Sequence, residues 1–162
     1  MGQDFEMMNS RKSAGGGFRI ADIQFKSSDL KALPDKLSGR PFPGLNIDSV
    51  PLFVPIFTQA EGETLVHDWC YENRAVYYLE LKKLGGNVLL LDPHRAMIKG
   101  KTDLIGNEVI APPEIRPAVA ILIAMIAAEG ESILRNVYPI QRGYENLTER
   151  LQNIGVNIEQ TN

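Results

Sequence analysis

Apolar residues run along this chain in two rhythms, and the change from one to the other sets out its elements. Dense apolar stretches at residues 50–60 and 118–128 are long enough for helices, and each runs into a Glu-Gly pair. Glycine takes the left-handed backbone that closes a helix at little steric cost, so both helices are predicted to end there. Short β-compatible segments follow at residues 64–66 and 132–134. After each comes a turn carrying an arginine, then an amphipathic helix. In the later one Tyr144, Leu147, Leu151 and Ile154 fall at steps of three, four and three residues, one face of a 3.6-residue helix. Gly155 stops that helix, and residues 156–158 read as the next strand. Residues 87–91 and 96–99 flank Asp92-Pro93-His94-Arg95 and predict a hairpin, with a further strand at 108–111 ahead of Pro112-Pro113.

These series are copies of one unit. Ala60-Glu61-Gly62-Glu63 returns 68 residues later as Ala128-Glu129-Gly130-Glu131. The same offset pairs Thr64 with Ser132, Val66 with Leu134, Asp68 with Asn136, Arg74 with Arg142 and Leu79 with Leu147. A shift of two residues then aligns Leu84, Gly85 and Asn87 with Ile154, Gly155 and Asn157. Chance could supply one four-residue match but not agreement in phase over about forty residues. The unit reads βαβαββ, and the second copy stops after its next strand. Upstream, residues 18–20 and 23–25 look like the arms of a preceding hairpin, followed by a polar link. The chain thus divides into a flexible lead at 1–17, a repeat tail at 18–47, one repeat at 48–115 and another at 116–162. It is expected to begin partway through a unit.

Composition removes several function classes. At 162 residues, 44% hydrophobic and 23% charged, the chain matches an ordinary globular domain with one core. A net charge of −3 and the lack of a basic run argue against nucleic acid as a partner. The longest apolar run, residues 118–128, is well short of the ~18 residues of a membrane span, and no signal-peptide core precedes it. One cysteine, Cys70, makes neither an internal disulfide nor a zinc site, which fits a reducing compartment. His67 and His94 lack metal-ligand spacing and read as structural. Nothing calls for a metal or a cofactor.

Several strings carry more than architecture. Pro43-Gly44-Leu45-Asn46-Ile47-Asp48, Thr58-Gln59-Ala60-Glu61-Gly62, Glu72-Asn73-Arg74 and Leu84-Gly85-Gly86 follow one another. Ala127-Ala128-Glu129-Gly130-Glu131 and Arg142-Gly143-Tyr144-Glu145 continue the series. Together they resemble the C-terminal half of the enolpyruvyl transferases over residues 32–159. Glu-Asn-Arg with a later Arg-Gly-Tyr-Glu resembles the branch acting on UDP-N-acetylglucosamine more than the one acting on 3-phosphoshikimate. The resemblance implies an α/β fold of two inside-out α/β barrel domains, each of three βαβαββ units, with the active site in the cleft between them. This chain would hold about two of three units of one domain plus a hairpin. The missing N-terminal domain, or a separate chain, would complete the site. Phosphoenolpyruvate and UDP-N-acetylglucosamine are the implied substrates, in peptidoglycan precursor synthesis in a bacterial cytoplasm, and the chain alone is expected to be inactive.

Enolpyruvyl transfer adds the acceptor hydroxyl to phosphoenolpyruvate and then eliminates phosphate. It needs a carboxylate beside the hydroxyl and fixed cations for the anionic groups, and arginine's planar fork suits the second task. The resemblance makes Asp48 the aspartate that contacts the sugar hydroxyl and acts as general base. By its residues alone, an aspartate ahead of an apolar helix is an N-cap. The resemblance places Arg74 in the cleft and makes Arg116 and Arg142 binders of phosphoenolpyruvate, where an isolated arginine would otherwise be a solvated surface group. Asp48 and Arg116 stand in phase in the repeat, as do Arg74 and Arg142, and the three arginines, each following or facing a strand end, are expected on one rim. Glu114 and Cys70 complete the implied substrate contacts, Cys70 through its backbone, with its thiol expected to be buried and inert.

The chain also departs from the family pattern. Glu114-Ile115-Arg116 stands for Asp-Leu-Arg, and Pro139-Ile140-Gln141-Arg142 for His-Ile-Asp-Arg. Pro55 falls inside the helix after Asp48, where a proline costs ~3 kcal/mol or forces a kink. These replacements support an alternative, a non-catalytic binding or scaffold domain that kept the fold. An incomplete three-fold domain would leave apolar helix faces uncovered, so a homodimer is expected.

Overall fold

The computed structural model describes residues 4–161. Its main sheet has the order β3-β4-β6-β5, built from β3 (Lys36–Ser38), β4 (Gly62–His67), β5 (Asn87–Asp92) and β6 (Arg95–Gly100). β3 runs parallel to β4, and the other pairs are antiparallel. The two-residue period of a strand decides what faces the core. Thr64, Ile98 and Val88 form one cross-strand row and Val66, Ala96 and Leu90 the next. Both rows turn toward the helices, while Leu89 and Lys99 look out to solvent.

The helical layer consists of α1 (Val50–Thr58), a 3₁₀ helix at Arg74–Leu84, and α2 (Ile115–Ala127). α1 packs on β6, β4 and α2, and α2 packs on the 3₁₀ helix. Val54, Phe57, Tyr78, Leu81, Ile98 and Ile121 are fully buried where these layers meet. Burying each such side chain is worth about 1.5–3 kcal/mol. A smaller cluster of Ala111, Ala118, Val119 and Ile140 ties α2 to α3 (Tyr138–Gln141).

The amphipathic helices differ from expectation in an instructive way. In the first unit the buried residues Ala75, Tyr78, Leu81 and Leu84 recur every third position. That stride aligns side chains along a helix of three residues per turn, so 3₁₀ geometry buries the apolar face. In the second unit the single helix expected through residues 144–154 is broken. Asn146 adopts φ +48°, α4 spans only Leu147–Gln152, and Ile154 is 76% exposed. The two long helices end at Thr58 and Ala127, short of the glycines expected to close them. Gly62 (φ +106°) and Gly130 (φ +89°) instead turn the chain toward the strands that follow. α1 runs on through Pro55, whose carbonyl accepts the Thr58 hydroxyl at 2.6 Å.

The repeat is visible in three dimensions. β7 (Glu108–Ile110) lies parallel to β8 (Ile133–Arg135) as β3 does to β4. Lys31 bridges Glu61 and Ile105 bridges Glu129, and Glu61 and Glu129 stand in phase ahead of β4 and β8. Gly85 and Gly155 take φ values of +87° and +92°. The strand expected at residues 156–158 joins no sheet among the described residues.

The lead expected at 1–17 and the short hairpin expected at 18–25 are both corrected, apart from residues 1–3, which lie outside the described residues. Phe5–Lys12 is strand β1, paired antiparallel with β2 (Arg19–Phe25) around a turn with Gly16 at φ +71°. Phe5 faces Phe25 and Met7 faces Ile23 on one side, while Glu6, Asp22 and Gln24 share the other. Few apolar residues alternating among many polar ones hid this pairing from the sequence pattern.

Candidate functional site

The N-terminal ends of α1 and α2 lie side by side and bring repeat-related residues together. Asp48 sits in a 3₁₀ turn, Ile47–Ser49, that leads into α1. It is not a helix cap: the Asn46 side chain accepts the Asp48 backbone N–H at 2.9 Å, which leaves the Asp48 carboxylate directed outward and 41% exposed. Arg116, on the first turn of α2, brings Nη2 to 3.9 Å from Asp48 Oδ2. At that separation the two groups attract without a hydrogen bond. Both keep capacity for a ligand.

Arg74 is not in the open cleft but lies beneath Asp48. Its side chain is 2% exposed and grips Asp68, which is wholly buried just past β4. Nε donates to Asp68 Oδ2 at 2.6 Å and Nη2 to Oδ1 at 2.7 Å, a bidentate pair. Nη2 also donates to the Ile47 carbonyl at 2.8 Å, and the Tyr78 hydroxyl donates to Asp68 Oδ2 at 2.6 Å. The guanidinium lies 4.0 Å above the Tyr71 ring, a cation–π contact. Burial works against its charge, but the hydrogen bonds and charge of Asp68 more than offset this and hold its pKa above the ordinary range. Burial, with the charge of Asp68, pushes the Tyr78 phenol far up. Arg74 is therefore a strut. It ties the exit of β4 to the turn bearing Asp48, and its Nη1 stands 3.8 Å from Asp48 Oδ1.

The remaining predicted residues take different places. Glu114 occupies the N-cap position of α2 without making a side-chain cap bond. Burial raises its pKa, with Arg74 opposing and Asp68 reinforcing the shift, so it belongs to the same electrostatic cluster. Arg142 ends α3 and donates from Nη2 to the Pro113 carbonyl at 3.1 Å, at the same end of α2. No ion pair joins it to Asp48 among the described residues. Cys70 is exposed, not buried, because the loop after Asp68 turns outward with Trp69 and Tyr71 also exposed. Burial lowers the His67 pKa, helped by Lys36 and Arg95. Among the described residues no group of three or more His, Cys, Asp or Glu could hold a metal ion, and no helix is long and apolar enough to cross a membrane.

Three members of the cluster escaped the sequence reading. Tyr71 donates its hydroxyl to Asp48 Oδ1 at 3.0 Å, and this bond, with the carboxylate's charge, raises the Tyr71 pKa. Asp68 and Tyr78 are the others. The available signal for them was an acid at a strand end, six residues before an arginine and ten before a tyrosine on the buried three-residue stride.

Comparison with known proteins gives the family. The family model described as EPSP synthase (3-phosphoshikimate 1-carboxyvinyltransferase) matches residues 16–151. UDP-N-acetylglucosamine 1-carboxyvinyltransferase of Treponema denticola is 44% identical over 131 residues, covering 81% of this chain and 30% of the relative. Its namesake in Treponema pallidum is 38% identical over 130 residues, again 80% of this chain and 30% of the relative. The crystal structure of the enolpyruvyl transferase NikO from Streptomyces tendae superposes with a TM-score of 0.74 at 25% identity, covering 94% of this chain and 34% of that one. EPSP synthase from Acinetobacter baumannii shares the fold, with a TM-score of 0.70 at 22% identity over 99% of this chain and 37% of its own. The chain spans about 30% of the length of the curated relatives it matches. A matching family model across most of the chain, relatives of one name and an enolpyruvyl transferase fold agree: the chain belongs to the EPSP synthase family of enolpyruvyl transferases.

Proposed function

We propose that this chain is the C-terminal part of a transferase that moves enolpyruvyl from phosphoenolpyruvate to the 3-hydroxyl of UDP-N-acetylglucosamine, in bacterial cytoplasmic synthesis of peptidoglycan precursors. It would form about two units of an inside-out α/β barrel, with helices inside and sheets outside. The observation that carries the reading is the exposed Asp48 carboxylate set 3.9 Å from Arg116 at the shared rim of α1 and α2. In the reaction Asp48 takes the hydroxyl proton as the oxygen bonds to the substituted alkene carbon of phosphoenolpyruvate and the methylene carbon gains a proton, giving a tetrahedral adduct with a methyl group. Arg116 and Arg142 hold the carboxylate and phosphate, and loss of phosphate together with a proton from the adduct's methyl group restores the double bond. Arg74 positions Asp48 through the Ile47 turn. Glu114 and the Cys70 backbone line the nucleotide-sugar side.

Since the chain spans about 30% of its relatives, we expect it to bind without turning over. Purified chain mixed with both substrates should release no phosphate above background; clear turnover would overturn the reading. Calorimetry with UDP-N-acetylglucosamine should show weak binding that Asp48→Ala abolishes. The competing reading, a non-catalytic scaffold domain, draws support from Pro139, which is buried where the family carries histidine. It predicts no binding by either form.

A further inference from the structure

Asp48 and Arg116 carry opposite charges 3.9 Å apart and make no hydrogen bond to each other. A carboxylate and a guanidinium free to choose their rotamers close to about 2.7–2.9 Å, at best as a fork that engages both carboxylate oxygens. A closed pair would satisfy both groups and leave little of either for a ligand, so the open gap needs a cause. The Asp48 backbone is fixed, since its N–H is held by the Asn46 side chain at 2.9 Å, but that alone leaves the side chain free to turn. What restrains it is Oδ1. This oxygen accepts the Tyr71 hydroxyl at 3.0 Å and faces Arg74 Nη1 at 3.8 Å, while Oδ2 faces Arg116.

Tyr71 can restrain a carboxylate only if it is restrained itself, and its loop is tied at both ends. At the start, the Asp68 backbone N–H donates to the His94 carbonyl at 2.8 Å, and the Trp69 indole donates to the Gly39 carbonyl at 3.0 Å. At the far end Asn73 takes φ +58°, a conformation asparagine tolerates better than most residues, and the Tyr71 ring covers the Arg74 guanidinium at 4.0 Å. Arg74 is itself fixed, because Asp68 and the Ile47 carbonyl hold it by three hydrogen bonds of 2.6–2.8 Å. The Tyr71 hydroxyl keeps its proton to donate, since the bond to Asp48 and that carboxylate's charge raise its pKa. The second unit lacks this arrangement. Pro139, 68 residues on from Tyr71, has no hydroxyl to donate, and Arg142 is exposed.

We infer that Tyr71 is a positioning residue: by holding Oδ1 it keeps Asp48 from closing onto Arg116, so that Oδ2 and the Arg116 guanidinium both stay open on the rim. Closure as a fork needs Oδ1, and Oδ1 comes free only when the Tyr71 bond breaks. The buried strut thus reaches the rim by two routes. Arg74 fixes the Asp48 backbone through the Ile47 carbonyl, and it fixes the Asp48 side chain through the Tyr71 ring stacked upon it. The roles of Asp48 as base and Arg116 as anion holder rest on the proposed function, whereas the restraint itself needs no substrate and is tested without one.

The test follows the modification of Arg116 by phenylglyoxal in the full chain, located by peptide mapping, with the exposed Arg150 as internal reference. The Arg116 side chain is 39% exposed, so the reagent can reach it. Tyr71→Phe removes the hydroxyl alone and keeps the ring over Arg74, so its circular dichroism should match the parent's. In this variant Arg116 should react about 3–5-fold more slowly, the protection expected of a part-exposed ion pair. A crystal structure of the variant should show Asp48 and Arg116 within about 3.2 Å. Adding Asp48→Asn to Tyr71→Phe should restore the parent rate, because the neutral amide gives Arg116 no charged partner; a general loosening of the loop would not be rescued in this way. An unchanged Arg116 rate in Tyr71→Phe, a gap that stays open in its crystal structure, or a slowing that persists in the double variant would each overturn the inference.

Discussion

Replacing Arg74 with leucine should be among the most damaging single changes in this chain. Asp68 is 0% exposed and takes three hydrogen bonds, two from Arg74 and one from the Tyr78 hydroxyl. Leucine would fill much of the space but leave the buried carboxylate without its countercharge, which costs about 3–5 kcal/mol. The Ile47 carbonyl would also lose a charged donor. Against a typical total stability of about 5–15 kcal/mol, that loss approaches unfolding. Arg74→Lys keeps the charge but loses the fork, so it should cost less, about 1–3 kcal/mol. Adding Asp68→Leu to Arg74→Leu should recover most of the loss, since a buried pair replaced by apolar residues is close to neutral. Urea unfolding at fixed protein concentration measures all three variants, with Trp69, the single tryptophan, as reporter; its indole donates to the Gly39 carbonyl at 3.0 Å. A cost for Arg74→Leu below about 1 kcal/mol, typical of a surface pair, would refute the strut. So would a double variant no more stable than the single one.

Other tests address the rest of the cluster and the fold. The fold disfavours the Glu114 carboxylate, so this penalty is absent below the ordinary carboxyl range and grows as pH rises through the elevated folded pKa. Glu114→Gln should therefore match the parent in acid and exceed it in thermal midpoint at neutral pH; a lower neutral midpoint would contradict the assignment. Tyr71 and Tyr78 should resist ionisation in an alkaline titration followed by phenolate absorbance, and Asp48→Ala should return Tyr71 alone to the ordinary range near 10. Gly106→Ala would set a Cβ 2.1 Å from the Glu131 carbonyl oxygen, so urea unfolding should show a loss of about 1–3 kcal/mol. Gly15→Ala, with nothing within 4 Å, should cost far less.

The repeat, the α/β class, the two long helices, the strands from residue 62 to residue 110 and the family were all legible in the sequence. Those features are local or periodic. Apolar spacing follows from how a helix or strand presents its faces, and a duplicated unit writes its period directly into the residues. The in-phase positions Asp48 and Arg116 were also visible, but not their meeting, since the packing of α1 on α2 closes the gap to 3.9 Å.

Tertiary structure decided what depends on contacts between distant segments. A 3₁₀ rather than an α-helix at Arg74–Leu84 follows from which stride seals the core. Pairing of β1 with β2 follows from a few cross-strand contacts in a polar stretch. Whether an arginine stays exposed or grips a buried acid depends on where Asp68 points, which no spacing reveals; that separates Arg74, locked beneath the rim, from Arg116, part-exposed upon it beside Asp48. The sequence by itself determined the units and their order, because those are properties of each segment's own pattern. Only the folded chain decided which charges are buried in structure and which stay exposed, because burial is a property of the whole packing.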